Sequence, residues 1–399
     1  MPATFRFHPP ALEIPPAVSW MLIRAFGPPG SPSSVRPLPG EALDLCRRFE
    51  LAGRVAARQG RGRLREELGE AAAAGFAREL ATEAGMGMRL NALAFQVAHT
   101  AADLGLPVIF LKFAALDLSG MLLPGSRSAC DVDVLVDEAE AAALQRALAA
   151  QGFTPSGLPE LEHQLPALAG PEGVIEVHRV LLGVRLSSGR SATAGDLARA
   201  GLLRPLTDLP GQASVPAPAA AVAHALVHGL GQHGWWPQSY SLFKMFGDLV
   251  DLGFGGAAGL SLAETAAHYI ASDVPEAEIA ASRKLCTALV AGEDLIDWGT
   301  EEAPEALLLR HILAGRLDPS YERGLKLGLF RAQPSDRKPL ARMARTLWRA
   351  VFLTRAQVDA LYGPPRGGAL GYLGRRLYRP WELLGRLGHY VASALPLRR

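Results

Sequence analysis

The chain has 399 residues, more than one ordinary hydrophobic core organises, so two or three lobes are expected. Hydrophobic residues at 49% and charged residues at 20% give the balance of a soluble globular protein, and no apolar run reaches the length of a bilayer. Cys46, Cys130 and Cys286 are too few and too scattered for a disulfide framework or a cysteine-based zinc site, so a reducing cytoplasm is the expected compartment.

The first forty residues carry ten prolines and no export-signal layout, so regular structure should be sparse there. The exception is a short docking helix over Pro16 to Phe26, with its proline in the first turn. From about Glu41 to Leu104 the Ala, Leu, Arg and Glu content predicts two or three helices, interrupted at Gly60, Gly75 and Gly85-Met86-Gly87. Gly105 and Pro107 end the last of them. Val108–Leu111 then reads as a buried strand, Ala114–Met121 as a helix, Pro124–Ser128 as a loop and Val132–Val136 as a second strand. Glu138–Gln151 is a predicted helix closed by Gly152, Val174–His178 a third strand and Val180–Leu186 a candidate fourth. This alternation within eighty residues indicates a compact α/β lobe.

Pro205–Pro218 reads as a Pro/Gly-rich connector. Beyond it, helices are expected over Ala219–Gly231, Tyr240–Leu252, Leu260–Ile270, Glu276–Ala291 and Pro304–Leu313. A helical tail, Lys338–Ala394, should break at Gly363-Pro364-Pro365 and at Arg379-Pro380. The chain thus divides into a Pro-rich segment (1–40), a helical lobe (41–105), an α/β core (106–205), a second helical lobe completing a cleft (219–315) and a basic helical region (316–399). The fold class is α+β, a small mixed α/β sheet lobe embedded in a mostly helical protein.

The net charge of +2 is spread unevenly. From Tyr321 to Arg399 sixteen Lys/Arg stand against four Asp/Glu, leaving 25 basic and 35 acidic residues before Tyr321. A basic tail interleaved with Trp348, Tyr362, Tyr372, Tyr378 and Trp381 suits RNA or an anionic membrane surface, although a solvated helical face explains it more plainly.

The most informative run is Asp131-Val132-Asp133-Val134-Leu135-Val136. Strand side chains alternate with a period of two, so Asp131 and Asp133 share one face while the three valines share the other. Val174-Ile175-Glu176-Val177-His178 adds a third carboxylate if its strand is a neighbour. Three converging carboxylates repel one another, and a hard divalent cation is the usual partner that makes such a cluster tolerable. That set suits metal-assisted phosphoryl or nucleotidyl transfer. The plainer alternative is a strand edge with solvated carboxylates. Lys244 and Asp248, four apart on a predicted helix, can pair with each other. His163, His178, His228 and His233 read as structural or hydrogen-bonding groups, because five residues of an ideal α-helix set His228 and His233 roughly 140° apart.

Val108-Ile109-Phe110-Leu111-Lys112, then Arg127 ahead of Asp131-Val132-Asp133, then Glu176-Val177-His178, His228-Gly229, His233-Gly234 and Lys244-x-x-x-Asp248 together carry a family resemblance. In order and spacing, Leu106 to Leu252 resembles a large bacterial group, the uncharacterised "nucleotidyltransferase family" proteins, related more distantly to minimal nucleotidyltransferases and nucleotidyltransferase toxins. The resemblance implies a nucleotidyltransferase-fold lobe in which Asp131, Asp133 and Glu176 are the catalytic and metal-binding carboxylates, holding Mg²⁺ (or Mn²⁺) against an NTP. It implies that Lys112 and Arg127 neutralise phosphate charge and that Lys244 and Asp248 reach the nucleotide from the helical lobe. ATP-type nucleotide binding and transfer of an NMP group to an unidentified acceptor (small molecule, RNA, protein or peptide) follow from it. One departure stands out: the glycine usual after the lysine is Phe113 here, followed by Ala114. A phenylalanine at that position either crowds the triphosphate or turns into the core. The alternative function it motivates is a catalytically impaired accessory protein that binds RNA or peptide.

Overall fold

The computed structural model describes residues 7, 9–31, 37–155, 163–185, 190–234, 240–255, 270–271, 274–318, 321 and 368–394. Helix α1 (Pro16–Phe26) starts on the expected proline and buries every side chain from Ala17 to Phe26. A helix that is apolar on nearly all sides belongs inside a protein, and its two awkward members are paired. Ser19 Oγ donates to Asp294 at 2.7 Å, and Arg24 Nε donates to Glu67 at 2.9 Å.

Three helices follow, α2 (Pro39–Arg48), α3 (Ala52–Leu68) and α4 (Glu70–Asp103). Gly60 kinks α3 with a left-handed φ of 72°, as its position foretold. Gly75, Gly85 and Gly87 do not interrupt α4, which runs 34 residues, about 50 Å at 1.5 Å per residue. Tertiary burial at both ends overrides the glycine penalty. Ala72, Ala73 and Phe76 belong to one hydrophobic core, and Leu90, Leu93, Ala94, Val97, Ala98 and Ala101 to a second. The helix is the spine between two cores.

The chain then gives β1 (Pro107–Phe110), α5 (Lys112–Leu118), β2 (Asp131–Leu135), α6 (Glu138–Ala150), β3 (Thr154–Pro155), β4 (Leu168–Ala169), β5 (Val174–His178), β6 (Leu181–Arg185), β7 (Ser191–Ala192), α7 (Ala194–Arg199), β8 (Leu203–Pro205) and β9 (Gln212–Pro216). Seven of these strands form one mixed sheet in the order β3-β4-β5-β2-β1-β9-β8. Strand β2 is parallel to β5 and antiparallel to β1, and β1 is parallel to β9. The fold is α+β, as the sequence indicates.

Pro205–Pro218 is not a connector. It contains β9, an interior strand that pairs with β1 on one side and β8 on the other. Ala213 and Val215 bury into the second core. The prolines fall at the end of β8, in the turn and at the end of β9, positions a sheet tolerates, so the proline count concealed a real strand.

The sheet has two unlike faces. Val108, Phe110, Val132, Val134, Ile175 and Val177 enter the second core, beneath α4, α5 and α6. Ile109, Leu111 and Leu135 enter the first, with the helical lobe. That lobe contains α8 (Pro218–Leu226), a π-helical turn (Val227–His233), α9 (Leu242–Asp251), and helices Glu276–Ala291 and Pro304–Leu317. The polar positions of β2 and β5 therefore lie between sheet and helical lobe. The expected helix over Leu260–Ile270 falls almost wholly outside the described residues, as does most of the basic 321–399 region. Within Gly368–Ala394 the helix continues through Pro380 rather than breaking there, and Leu370, Leu373, Leu377 and Trp381 are exposed.

Candidate active site

Strand β2 carries Asp131 and Asp133, and the parallel register sets Asp133 directly beside Glu176 of β5. Glu176 and His178 are two residues apart, so both share the face of the aspartates. At the end of β1 the backbone turns sharply at Lys112, whose φ of 47° lies in the left-handed region that glycine adopts more easily. Lys112 Nζ donates to Asp133 Oδ1 at 2.7 Å, and His178 Nε2 lies 2.8 Å from the same oxygen. Glu176 Oε2 is 3.6 Å from that Nε2.

Electrostatics separates the two aspartates. Burial alone would raise the Asp133 carboxyl, but the Lys112 charge and the His178 hydrogen bond outweigh it and hold Asp133 well below the ordinary range. The Asp131 carboxylate has no hydrogen-bond or ion-pair partner among the described residues. Burial first, then the charge of Asp133, pushes its carboxyl up to about 6, although Lys112 pulls the other way. Lys112 is raised: burial lowers it, and Asp133, Asp131 and Glu176 more than compensate. The face thus holds three carboxylates against one lysine and one histidine.

The group whose ligand atoms all lie within 4.8 Å of one another is Asp133, Glu176 and His178. The expected trio was Asp131, Asp133 and Glu176. The structure brings Asp133 and Glu176 together, leaves Asp131 one strand repeat away on the same face, and adds His178, which was read as a structural histidine. Two carboxylates and an imidazole on one rigid strand pair are a donor set that fits a divalent cation.

The facing wall differs from the expectation of free cations. Arg127 Nε and Nη2 donate to the two carboxylate oxygens of Asp248 at 2.6 and 3.0 Å, with both side chains buried. Burial would lower the Arg127 guanidinium, but Asp248 holds it firmly protonated. The pair ties the loop before β2 to α9. That loop is seated closely: a Cβ on Gly53 of α3 would lie 2.2 Å from the Gly125 carbonyl oxygen. Lys244 does not bond Asp248, one turn along α9, but pairs with Glu50. Glu50 also accepts from Arg316 Nη2 at 2.8 Å.

Phe113 turns into the core. Its ring is buried in the second core, and the Arg127 guanidinium carbon sits 5.8 Å from the ring centroid. Of the two placements open to Phe113, the core is the one adopted.

His228 and His233, expected far apart, have ring centroids 4.6 Å apart, and the His233 ring stacks on Tyr240 at 4.7 Å. The reason is the π-helical turn Val227–His233. Its i→i+5 bonding brings residues five apart toward one face, which the ideal α-helical angle does not allow. His224 stands 6.1 Å from His228. Burial, then the charge of Lys112, lowers His224 to about 3 and His233 to about 4, so both imidazoles are neutral near pH 7. Lys112, Arg127, His224, His228, Tyr240 and Asp248 line one narrow cavity behind the carboxylate face.

The sequence model of a family described as uncharacterised nucleotidyltransferases matches residues 38–250, more than half of the chain. The chain belongs to that family. The match begins at α2 and ends in α9, so in this nucleotidyltransferase-family protein the matched region takes in the helices before the sheet as well as the sheet itself. No curated protein and no solved structure matches the chain. Membership implies a nucleotide substrate and group transfer, and the Asp133–Glu176–His178 cluster supplies a candidate metal site. No helix among the described residues is long and apolar enough to cross a membrane. Sequence reasoning missed His178 as a member of the cluster, although its period-two spacing from Glu176 was the available signal. It also missed Glu50, for which no local signal existed.

Proposed function

We propose that this protein is a divalent-metal-dependent nucleotidyltransferase that moves an NMP group from an NTP to an acceptor hydroxyl or phosphate. The observation that carries the reading is the unbalanced charge of one sheet face. Asp131, Asp133 and Glu176 stand against Lys112 and His178, with Asp131 unpaired among the described residues. Asp133 and Glu176 would hold the ion, with Asp131 on the same face, and the ion when bound supplies charge neutralisation of the triphosphate.

The protein's own residues do the rest. An acceptor oxygen forms a bond to the α-phosphorus as the bond to the bridging α–β oxygen breaks, and pyrophosphate leaves with that electron pair. Glu176, partly exposed at the cleft, takes the proton from an acceptor hydroxyl. Lys112 is close enough to Asp133 to exchange that carboxylate for a phosphate oxygen as the nucleotide enters. Lys244 adds charge from α9, while Arg127 and Asp248 hold the cleft walls together.

The test is incubation of the full chain with each α-labelled NTP, Mg²⁺ or Mn²⁺ and a cell extract, alongside D131N, D133N and E176Q. Label transfer by the wild type, lost in D133N, supports the reading. No transfer and no metal-dependent NTP binding by the folded wild type overturns it.

A further inference from the structure

The donor set is not the one a purely oxygen-loving ion prefers. His178 Nε2 is the ring atom turned into the cluster, 2.8 Å from Asp133 Oδ1 and 3.6 Å from Glu176 Oε2, on a side chain only 6% exposed. Its position is fixed by backbone geometry. Strand alternation places it on the face of Glu176, and the parallel pairing of β5 with β2 locks that face beside the aspartates. The ring is steadied on its far side by His163, whose ring stacks on it at 5.8 Å and 29°. The backbone N–H of Arg179, the next residue, donates to the His163 carbonyl at 2.8 Å. An imidazole this constrained is either a donor that orients Asp133 or a ligand whose nitrogen lone pair faces the ion.

We infer that His178 is an inner-sphere ligand together with Asp133 and Glu176, and that the site selects a first-row transition ion, with Mn²⁺ as the probe, over Mg²⁺. The inference rests on the proposed metal-dependent function and concerns which atoms hold the ion. Mg²⁺ prefers oxygen donors in near-ideal octahedral geometry and dehydrates reluctantly, so a buried imidazole contributes little to holding it. Fe²⁺, Co²⁺ and Zn²⁺ take imidazole readily; Mn²⁺ shares the liking of Mg²⁺ for carboxylates but, as the first member of the transition series, tolerates a nitrogen donor beside them and serves as the spectroscopic probe. Ligation requires no new backbone position: the imidazole carries its proton on Nδ1, leaving the Nε2 lone pair free, and Lys112 leaves Asp133 Oδ1. Asp131, beyond the compact group, then remains an uncommitted carboxylate on the same face.

The experiment is pulsed electron paramagnetic resonance of Mn²⁺ bound to the full-length protein, without nucleotide, with Mn²⁺ affinity measured by titration and Mg²⁺ as competitor. Wild type, H178Q, H178N and D133N are compared, each checked for folding by circular dichroism. The expected result is a ¹⁴N modulation from a directly bound imidazole, absent in H178Q and H178N. Those variants should also lose roughly tenfold or more of the Mn²⁺-over-Mg²⁺ preference. Mn²⁺ binding that depends on Asp133 but shows no ¹⁴N coupling, or a coupling that survives in a folded H178Q, overturns the inference and leaves metal-dependent transfer standing. No Mn²⁺ binding by the wild type overturns both.

Discussion

Two charge clusters in this protein, one on α9 and one on the sheet, obey opposite rules. On the α9 wall, Arg127 meets Asp248 and Arg54 meets Asp251, each through two parallel hydrogen bonds of 2.6 to 3.0 Å. Each member of those two pairs has one partner of opposite sign. On the sheet face, three carboxylates share Lys112 and His178, and Asp131 has no partner among the described residues. Balanced pairs hold elements in place, whereas an excess of one sign creates a demand for a ligand. The contrast separates architecture from chemistry without reference to motif, because a fold gains nothing by keeping like charges together unless a cation is to come.

The sharpest way to break the comparison is to unbalance a balanced pair. D248A should destabilise the protein by about 3–5 kcal/mol in urea unfolding, since it strands a buried guanidinium. The double variant R127M/D248A should recover much of that loss. A D248A cost below about 1 kcal/mol would mean the pair is ornamental and the distinction fails.

The converse is to balance the unbalanced face. At 100 times its Kd, Mn²⁺ should stabilise the wild type by about 2.7 kcal/mol, read as a rise in Tm, with no rise in D133N. Should the Tm of D133N rise equally, the ion binds elsewhere.

D131N is the finest probe. The folded Asp131 carboxyl titrates at about 6 against an ordinary 3.8, so ionising it costs the folded state. The folded protein binds more protons than the unfolded chain between those values, and this group's contribution makes stability fall as pH rises from about 4 to 6, then level off. D131N should therefore stabilise the metal-free protein at pH 7 by roughly 1–3 kcal/mol and flatten that slope. The same substitution should abolish label transfer. A D131N protein less stable than wild type at pH 7 would show that Asp131 is satisfied in a way the charge count does not capture.

Much of the site was legible because strand periodicity is local. Alternation alone placed Asp131 and Asp133 together, put the valines behind them and set Glu176 on its strand. The same rule applied to β5 would have added His178, but a lone histidine was weighed by its residue type rather than by its face. Phe113 shows the reverse: sequence left two rotamer fates open, and only packing against the second core chose the inward one. The β8–β9 hairpin was hidden because prolines at strand ends resemble prolines in a linker when the partner strand is unknown.

The sequence by itself determined which side chains share a face, where α1 begins and that helices follow from about Glu41, and that acid would gather on one strand, because each follows from backbone period and propensity over a few residues. The tertiary structure decided that β5 lies parallel beside β2, that Arg127 pairs with Asp248, and that a π-helical turn brings His228 to His233. The first two outcomes depend on contacts between residues dozens to more than a hundred positions apart, and no short-range pattern encodes which distant partner will be buried against which.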